Sequence, residues 1–271
     1  MNYSDEIKKH MSDYKKVEFS TIKDGCYRGK SGYKHIFPWI CGKLNLIETY
    51  RNDFLKDDLS NLRFNRFFHH LNSSQAMCIN FLFPLIKEKK LGIILRKLEI
   101  YHDEVKYETA LFEKDGIEKN NGQRPTNFDF YFETQNGLKL YFEIKYTEDG
   151  FGKCKKDNEH LKKYENTYRK LSDGKIVSKY QDKDVFLDNY QIMRNLIHIS
   201  DDSYLVFIVP KDNKPVYTQA TKAQEFVEER YKDKIKVLLW DDLYDIDEEN
   251  DFSEKLRKHF DEFKKKYKIK I

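Results

Sequence analysis

The strongest constraint on this chain is the alternation of apolar residues between Asn127 and Tyr146. Phe128, Phe130 and Phe132 alternate with Asn127, Asp129 and Tyr131, while Leu140, Phe142, Ile144 and Tyr146 alternate with Tyr141, Glu143 and Lys145. A period of two is the signature of a strand that buries one face. Asn136-Gly137 lies between the two runs and is a strong local hairpin signal. The segment reads as two antiparallel strands, Asn127–Glu133 and Leu138–Tyr146.

The register of that hairpin decides its chemistry. Glu143 and Lys145 are two residues apart and share a face. A two-residue turn at Asn136-Gly137 pairs 129 with 144 and aims Asp129 at the other side. A three-residue loop, Gln135-Asn136-Gly137, with Gly137 left-handed in a bulge, pairs 134 with 138 and sets 129 opposite 143. We expect this second register. Two carboxylates about 5 Å apart repel each other, and a cation between them removes the problem. Magnesium suits such a site, because it takes one or two carboxylates and keeps several waters. A water so held has a lowered pKa and can attack a phosphate that the ion polarises. Lys145, beside two anions, is held in its charged form. Its expected role is to orient water and stabilise negative charge. A solvated strand face with a cross-strand ion pair fits the same spacing equally well. Of the other E-x-K triplets, Glu104-Val105-Lys106 is the nearest rival, but no aspartate lies 10 to 20 residues before it.

Around the hairpin the chain alternates helix and strand. Asn72-Ser73-Ser74 is an N-cap cluster for a helix with the stripe Met77, Cys78, Phe81, Leu82 and Leu85. Pro84 cannot donate to the carbonyl of Asn80, so a kink or break is expected there. Glu104–Phe112 reads as a strand, and Asn120–Thr126 as a loop. Lys153–Lys170 reads as a basic surface helix and Asp184–His198 as a better one. Tyr204–Val209 and Ile235–Trp240 read as buried strands, residues 220–231 as helical, and the acidic run Asp241–Asp251 precedes a terminal helix. This order implies one α/β domain over 69–271 behind an N-terminal extension, 1–68, in which Asp24–Tyr33 is a loop.

Composition excludes more than it names. The 50 Lys+Arg against 46 Asp+Glu nearly cancel at +4, so no overall field announces a nucleic-acid or membrane partner. Cys26, Cys41, Cys78 and Cys154 have no metal-ligand spacing and fit a reducing cytoplasm better than a disulfide framework. No apolar run approaches the ~20 residues that span a bilayer, and the N-terminus lacks a signal-peptide core. A cytoplasmic protein with no membrane partner is expected. Gly29-Lys30-Ser31 lacks the leading glycine of a P-loop, so no nucleotide cofactor is expected. His69-His70 cannot form a helical metal pair.

The arrangement resembles the PD-(D/E)xK nuclease superfamily, the restriction-endonuclease-like fold. A helix precedes a three-stranded meander, then a helix and a further strand, over residues 72 to about 210. The strings Ser73-Ser74-Gln75, Phe142-Glu143-Ile144-Lys145-Tyr146-Thr147-Glu148 and Tyr190-Gln191-Ile192-Met193-Arg194-Asn195 look like bacterial restriction-type members. Phe128 stands where the motif has proline, and Gln75 where some members place a glutamate. The resemblance implies an αβββαβ core with a mixed sheet flanked by helices. It implies that Asp129 and Glu143 bind Mg²⁺ or Mn²⁺, and that Lys145 acts on the attacking water. Glu108 becomes a candidate extra ligand on the preceding strand. Gln75, Gln191 and Arg194 become candidates for support or phosphate contact, the last two sharing a helix face with His198 opposite the Phe186/Tyr190 stripe. Lys153, Lys155 and Lys156 follow the site and become candidates for phosphate contact, with solvated surface charge as the alternative. The implied function is a type II restriction-type endonuclease acting as a homodimer on double-stranded DNA. The alternative is a nucleic-acid-binding module that keeps the fold without turnover.

Overall fold

A computed structural model describes residues 2–118, 125–248 and 251–269. Before the sheet come α1 (Tyr3–Glu18), a two-stranded hairpin of β1 (Gly25–Tyr27) and β2 (Lys30–Tyr33), α2 (Glu48–Lys56), α3 (Ser74–Lys87) and α4 (Gly92–Lys97). The segment expected as a loop, Asp24–Tyr33, is therefore largely paired. Its turn residues Arg28 and Gly29 both have positive φ, 48° and 76°, the twist that a two-residue hairpin turn requires.

The central sheet follows: β3 (Val105–Asp115), β4 (Asn127–Thr134) and β5 (Lys139–Ile144), then β6 (Ser203–Val209) and β7 (Ile235–Leu239). Its order is β3-β4-β5-β6-β7, antiparallel over the first three strands and parallel over the last three. Between β5 and β6 lie α5 (Asn158–Lys163), α6 (Arg169–Ser172), α7 (Lys183–Asp188) and α8 (Tyr190–Leu196). Then α9 (Lys214–Lys222) precedes β7, and α10 (Trp240–Leu243) and α11 (Glu254–Tyr267) follow it. The fold is the expected α/β class with a five-stranded mixed sheet flanked by helices.

Each sheet face carries its own apolar layer. Phe130, Phe132, Leu140, Phe142 and Ile144 pack with α1, α2, α3 and α11. Tyr131, Tyr141, Leu205, Phe207 and Val209 pack with α6 to α9 on the other side. Strands β5 and β6 are covered on both faces, which explains their nearly continuous apolar runs. Residues 1–68 join the first layer through Ile7, Met11, Phe37 and Phe54.

The helix that contains Pro84 does not break. The Asn80 carbonyl, deprived of its N–H partner by the proline ring, accepts a hydrogen bond from His259 Nε2 of α11 at 2.7 Å. Two other boundaries differ from expectation. The basic stretch becomes helical only at Asn158, where the Asp157 carboxylate caps the His160 N–H, leaving Lys153, Lys155 and Lys156 in a loop. Asp184–His198 is two helices, interrupted at Asn189, whose ψ of 33° leaves the helical region. The Asn120–Thr126 loop lies mostly outside the described residues. Among the described residues no helix is long and apolar enough to cross a membrane.

Candidate active site

The β4–β5 hairpin adopts the three-residue loop. Phe130 pairs with Phe142, Tyr131 with Tyr141 and Phe132 with Leu140. The Thr134 N–H donates to the Leu138 carbonyl at 2.9 Å, and Gly137 sits at φ 85°. Continuing that register places Asp129 opposite Glu143, and both line one cleft of about 1020 Å³ together with Lys145. An Asp129 carboxylate oxygen accepts the Ile144 N–H at 2.6 Å.

Glu143 and Lys145 are nearly enclosed, at 2% and 7% exposure. Lys145 Nζ donates to Glu143 Oε1 at 2.6 Å. Its backbone is clamped too: its N–H donates to Ile208 and its carbonyl accepts Trp240 Nε1, each at 3.0 Å. Burial works against the Lys145 charge, but Glu143, Glu148 and Asp129 together outweigh it and raise the ammonium above its ordinary range. Asp129 moves the other way. Burial and the charge of Glu143 push its carboxyl well above the usual carboxylate range, despite the opposing pull of Lys145.

Two further helices hold the acids. From α8, Gln191 Nε2 donates to Glu143 Oε1 at 2.6 Å and Asn195 Nδ2 donates to Oε2 at 3.1 Å. From the start of α3, whose Ser73 side chain caps the Ala76 N–H, Gln75 Nε2 donates to Glu113 Oε1 at 2.6 Å. Asn72 Nδ2 ties that helix end to Thr147 Oγ1 at 2.8 Å. Gln75 and Gln191 thus reach the cleft.

Other candidates stand elsewhere. Glu108 is exposed and outside the cleft lining. The reason is a bulge: Lys106 pairs with Glu133 and Leu111 with Tyr131, so residues 107–110 stand against Phe132 alone. Beyond the bulge Phe112 pairs with Phe130 and Lys114 with Phe128, which brings Glu113, not Glu108, opposite Asp129. Glu113 lines the cleft at φ 56°. Arg194 also misses the cleft. It lies over the rings of Tyr190 and Tyr168 at 5.1 and 5.8 Å, with Glu118 at 4.0 Å. Tyr190 and Arg194 are four residues apart and share a helix face, so the expected separation from that stripe fails. Lys153 and Lys155 are exposed outside the cleft lining, and Lys156 pairs with Asp188 and Asp184 at 3.0 and 3.3 Å.

Glu113 and Asn195 are the site residues that sequence reasoning did not single out. Asn195 was within reach, because it follows Gln191 by one helical turn. Glu113 was not, because its register depends on the bulge.

The acids Asp129 and Glu143 offer hard carboxylate oxygens, while His35 and His70 line the same cleft. Among the described residues no group of three or more His, Cys, Asp or Glu is placed to hold a metal ion. Asp129 and Glu143 fit a magnesium ion held by two carboxylates and water, not a zinc centre. The raised Asp129 carboxyl is consistent with two acids arranged for a cation.

The five-stranded sheet delivers two carboxylates and a lysine to one cleft. The match to known families is specific: the model of the family described as Restriction Endonuclease associating with ARP covers residues 8–268. The chain belongs to this restriction endonuclease family, which implies a nuclease with DNA as its substrate. No curated protein and no solved structure matches the chain.

Proposed function

We propose that this protein is a magnesium-dependent endonuclease of the PD-(D/E)xK type that hydrolyses phosphodiester bonds of double-stranded DNA. The observation that carries this reading is Asp129 in register with Glu143, with Lys145 beside them, at the floor of one cleft. Asp129 and Glu143 would hold the ion, for which manganese can substitute. When bound, it supplies stabilisation of charge on the phosphate and lowers the pKa of nearby water.

The protein's own groups do the rest. Lys145 is protonated, so it donates: it orients the attacking water and stabilises the charge that develops on the phosphate. Gln191 and Asn195 fix both Glu143 oxygens, so that carboxylate has little freedom to reorganise. A type II restriction setting with a homodimer suits the reading, since a two-fold assembly matches palindromic DNA. The family's description carries an association with ARP, and we take such a partner to serve this chain as well.

The test is cleavage of plasmid and phage DNA with Mg²⁺ or Mn²⁺ by wild type, Glu143→Ala and Lys145→Ala. Loss of cleavage in both variants, with folding intact, is expected. Unchanged cleavage in both overturns the assignment.

A further inference from the structure

The cleft floor poses an electrostatic problem for a polyanion. Glu113, Asp129, Glu143, Glu148 and Asp149 all line the cleft, against the ammonium groups of Lys145 and Lys8. A DNA strand approaching that floor is repelled unless the opposite wall carries positive charge. The N-terminal segment lines the same cleft through Lys8, Tyr27, His35, Arg63, Arg66 and His70.

Among the described residues, four cations of this segment stand outside any ion pair, as Lys153 and Lys155 do, whereas several other surface lysines are paired. Lys156 is tied to Asp184 and Asp188, Lys264 to Asp247, Lys265 to Glu18, Lys268 to Asp245 and Lys255 to Asp53. Among the described residues, Arg28, Lys30, Arg63 and Arg66 have no carboxylate partner. All four are exposed. Arg66 lies over the Phe67 ring at 4.5 Å and Arg28 over the Tyr27 ring at 5.2 Å, which leaves their guanidinium forks available.

The two stretches that carry these cations form one unit. Tyr27 packs edge-on against Phe67 and His70 at 5.7 and 5.5 Å, and Phe67 against His70 at 5.1 Å. This aromatic cluster locks the β1–β2 hairpin to residues 63–70. Its tip, which carries Arg28 and Lys30, is therefore held next to Tyr27 and Tyr33 of the cleft lining.

We propose that this N-terminal wall is the phosphate grip of the enzyme. Arg63 and Arg66 contact the backbone of the strand whose phosphodiester reaches Asp129 and Glu143, and Arg28 and Lys30 hold the flanking duplex. Guanidinium forks match phosphate oxygens and give affinity without reading sequence. The inference rests on the nuclease reading and adds to it which part of the chain binds the substrate. It adds a second set of phosphate-contact candidates to Lys153 and Lys155, which are exposed outside the cleft lining.

The test uses the full chain in EDTA, so that binding is read without cleavage, and a short labelled duplex followed by fluorescence anisotropy across a KCl series. Arg63→Ala/Arg66→Ala is expected to bind about tenfold or more weakly, and to lower the slope of log Kd against log salt by about 2. The loss is expected to be equal on unrelated sequences. Lys139→Ala/Lys232→Ala removes the same charge from exposed ion pairs outside the cleft and is expected to bind like wild type. Circular dichroism and Tm check that each variant is folded. If wild type binds and cleaves DNA but the arginine pair leaves affinity and slope unchanged, the grip is overturned and the nuclease reading stands. If wild type neither binds DNA here nor cleaves it with Mg²⁺, both are overturned.

Discussion

His259 Nε2 donates to the Asn80 carbonyl at 2.7 Å, the acceptor that Pro84 leaves without its helical N–H. One histidine of the last helix thereby keeps α3 continuous, and α3 supplies Gln75 to the cleft. The bond requires a proton on Nε2, and the buried Nδ1 has no hydrogen-bond partner among the described residues.

A pH dependence follows from that geometry. Burial pushes the His259 imidazole down to about 4, whereas in the unfolded chain it protonates near 6.5. Between those values the unfolded state holds the extra proton, so stability falls as pH drops from 6.5 toward 4. The loss from this group is on the order of 3 kcal/mol. Burial also lowers His35 and His70 to about 4, which adds in the same direction. His259→Gln keeps a donor toward Asn80 and removes one titration. Its Tm should vary less with pH across this window than that of wild type, and His259→Leu should lose about 1–3 kcal/mol at neutral pH.

Gly137 fixes the register that brings the two carboxylates together. Its φ of 85° disfavours a side chain, although a Cβ there meets nothing within 4 Å. Gly137→Ala should therefore cost only the conformational penalty, about 1–2 kcal/mol. Gly137→Asn should cost less, since asparagine tolerates that region. Urea midpoints measure both, and cleavage by the folded Gly137→Asn variant should match wild type.

Asn195 acts on the site through Glu143. Asn195→Ala frees one oxygen of that carboxylate and should slow cleavage about 10- to 100-fold. Asn195→Asp sets a second anion where the amide donated and should be slower still. Single-turnover rates of the two variants, compared at saturating DNA, decide between them. Equal rates would mean that charge beside Glu143 is unimportant.

Glu113 brings a third carboxylate level with Asp129 and adds to the repulsion that raises the Asp129 carboxyl. Its positive φ is uncommon for a glutamate, as strained positions at functional sites often are. Glu113→Gln should shift half-saturation by Mg²⁺ to higher concentration and lower the cleavage rate about tenfold. A magnesium titration of cleavage, together with Mg²⁺ binding by calorimetry, checks both. An unchanged titration would mark Glu113 as a spectator held by Gln75.

Much of the candidate site's geometry is legible in the sequence. Alternation, Asn136-Gly137 and the count from Asp129 to Glu143 together specify a hairpin, its loop and its polar face, because each is a local rule of strand geometry. The N-cap at Ser73 and the turn of helix linking Gln191 to Asn195 are local in the same way. The hydrogen bond that Pro84 cannot make is legible in the sequence, but the unbroken helix is not, because the compensating donor lies 179 residues away.

The amino-acid order by itself determined the mixed α/β class, the hairpin and the set Asp129, Glu143 and Lys145. Tertiary structure alone decided the rest of the cleft. A bulge at 107–110 brought Glu113 rather than Glu108 opposite Asp129, a helix break at Asn189 preceded the turn that carries Gln191 and Arg194, and Lys156 found partners in Asp188 and Asp184. Packing also brought Arg63 and Arg66 of the N-terminal extension into the lining of the cleft that holds the carboxylates. The physical reason is range. Strand and turn preferences act over a few residues, whereas the partner of a charge and the register of a bulged strand are settled only when distant segments pack together.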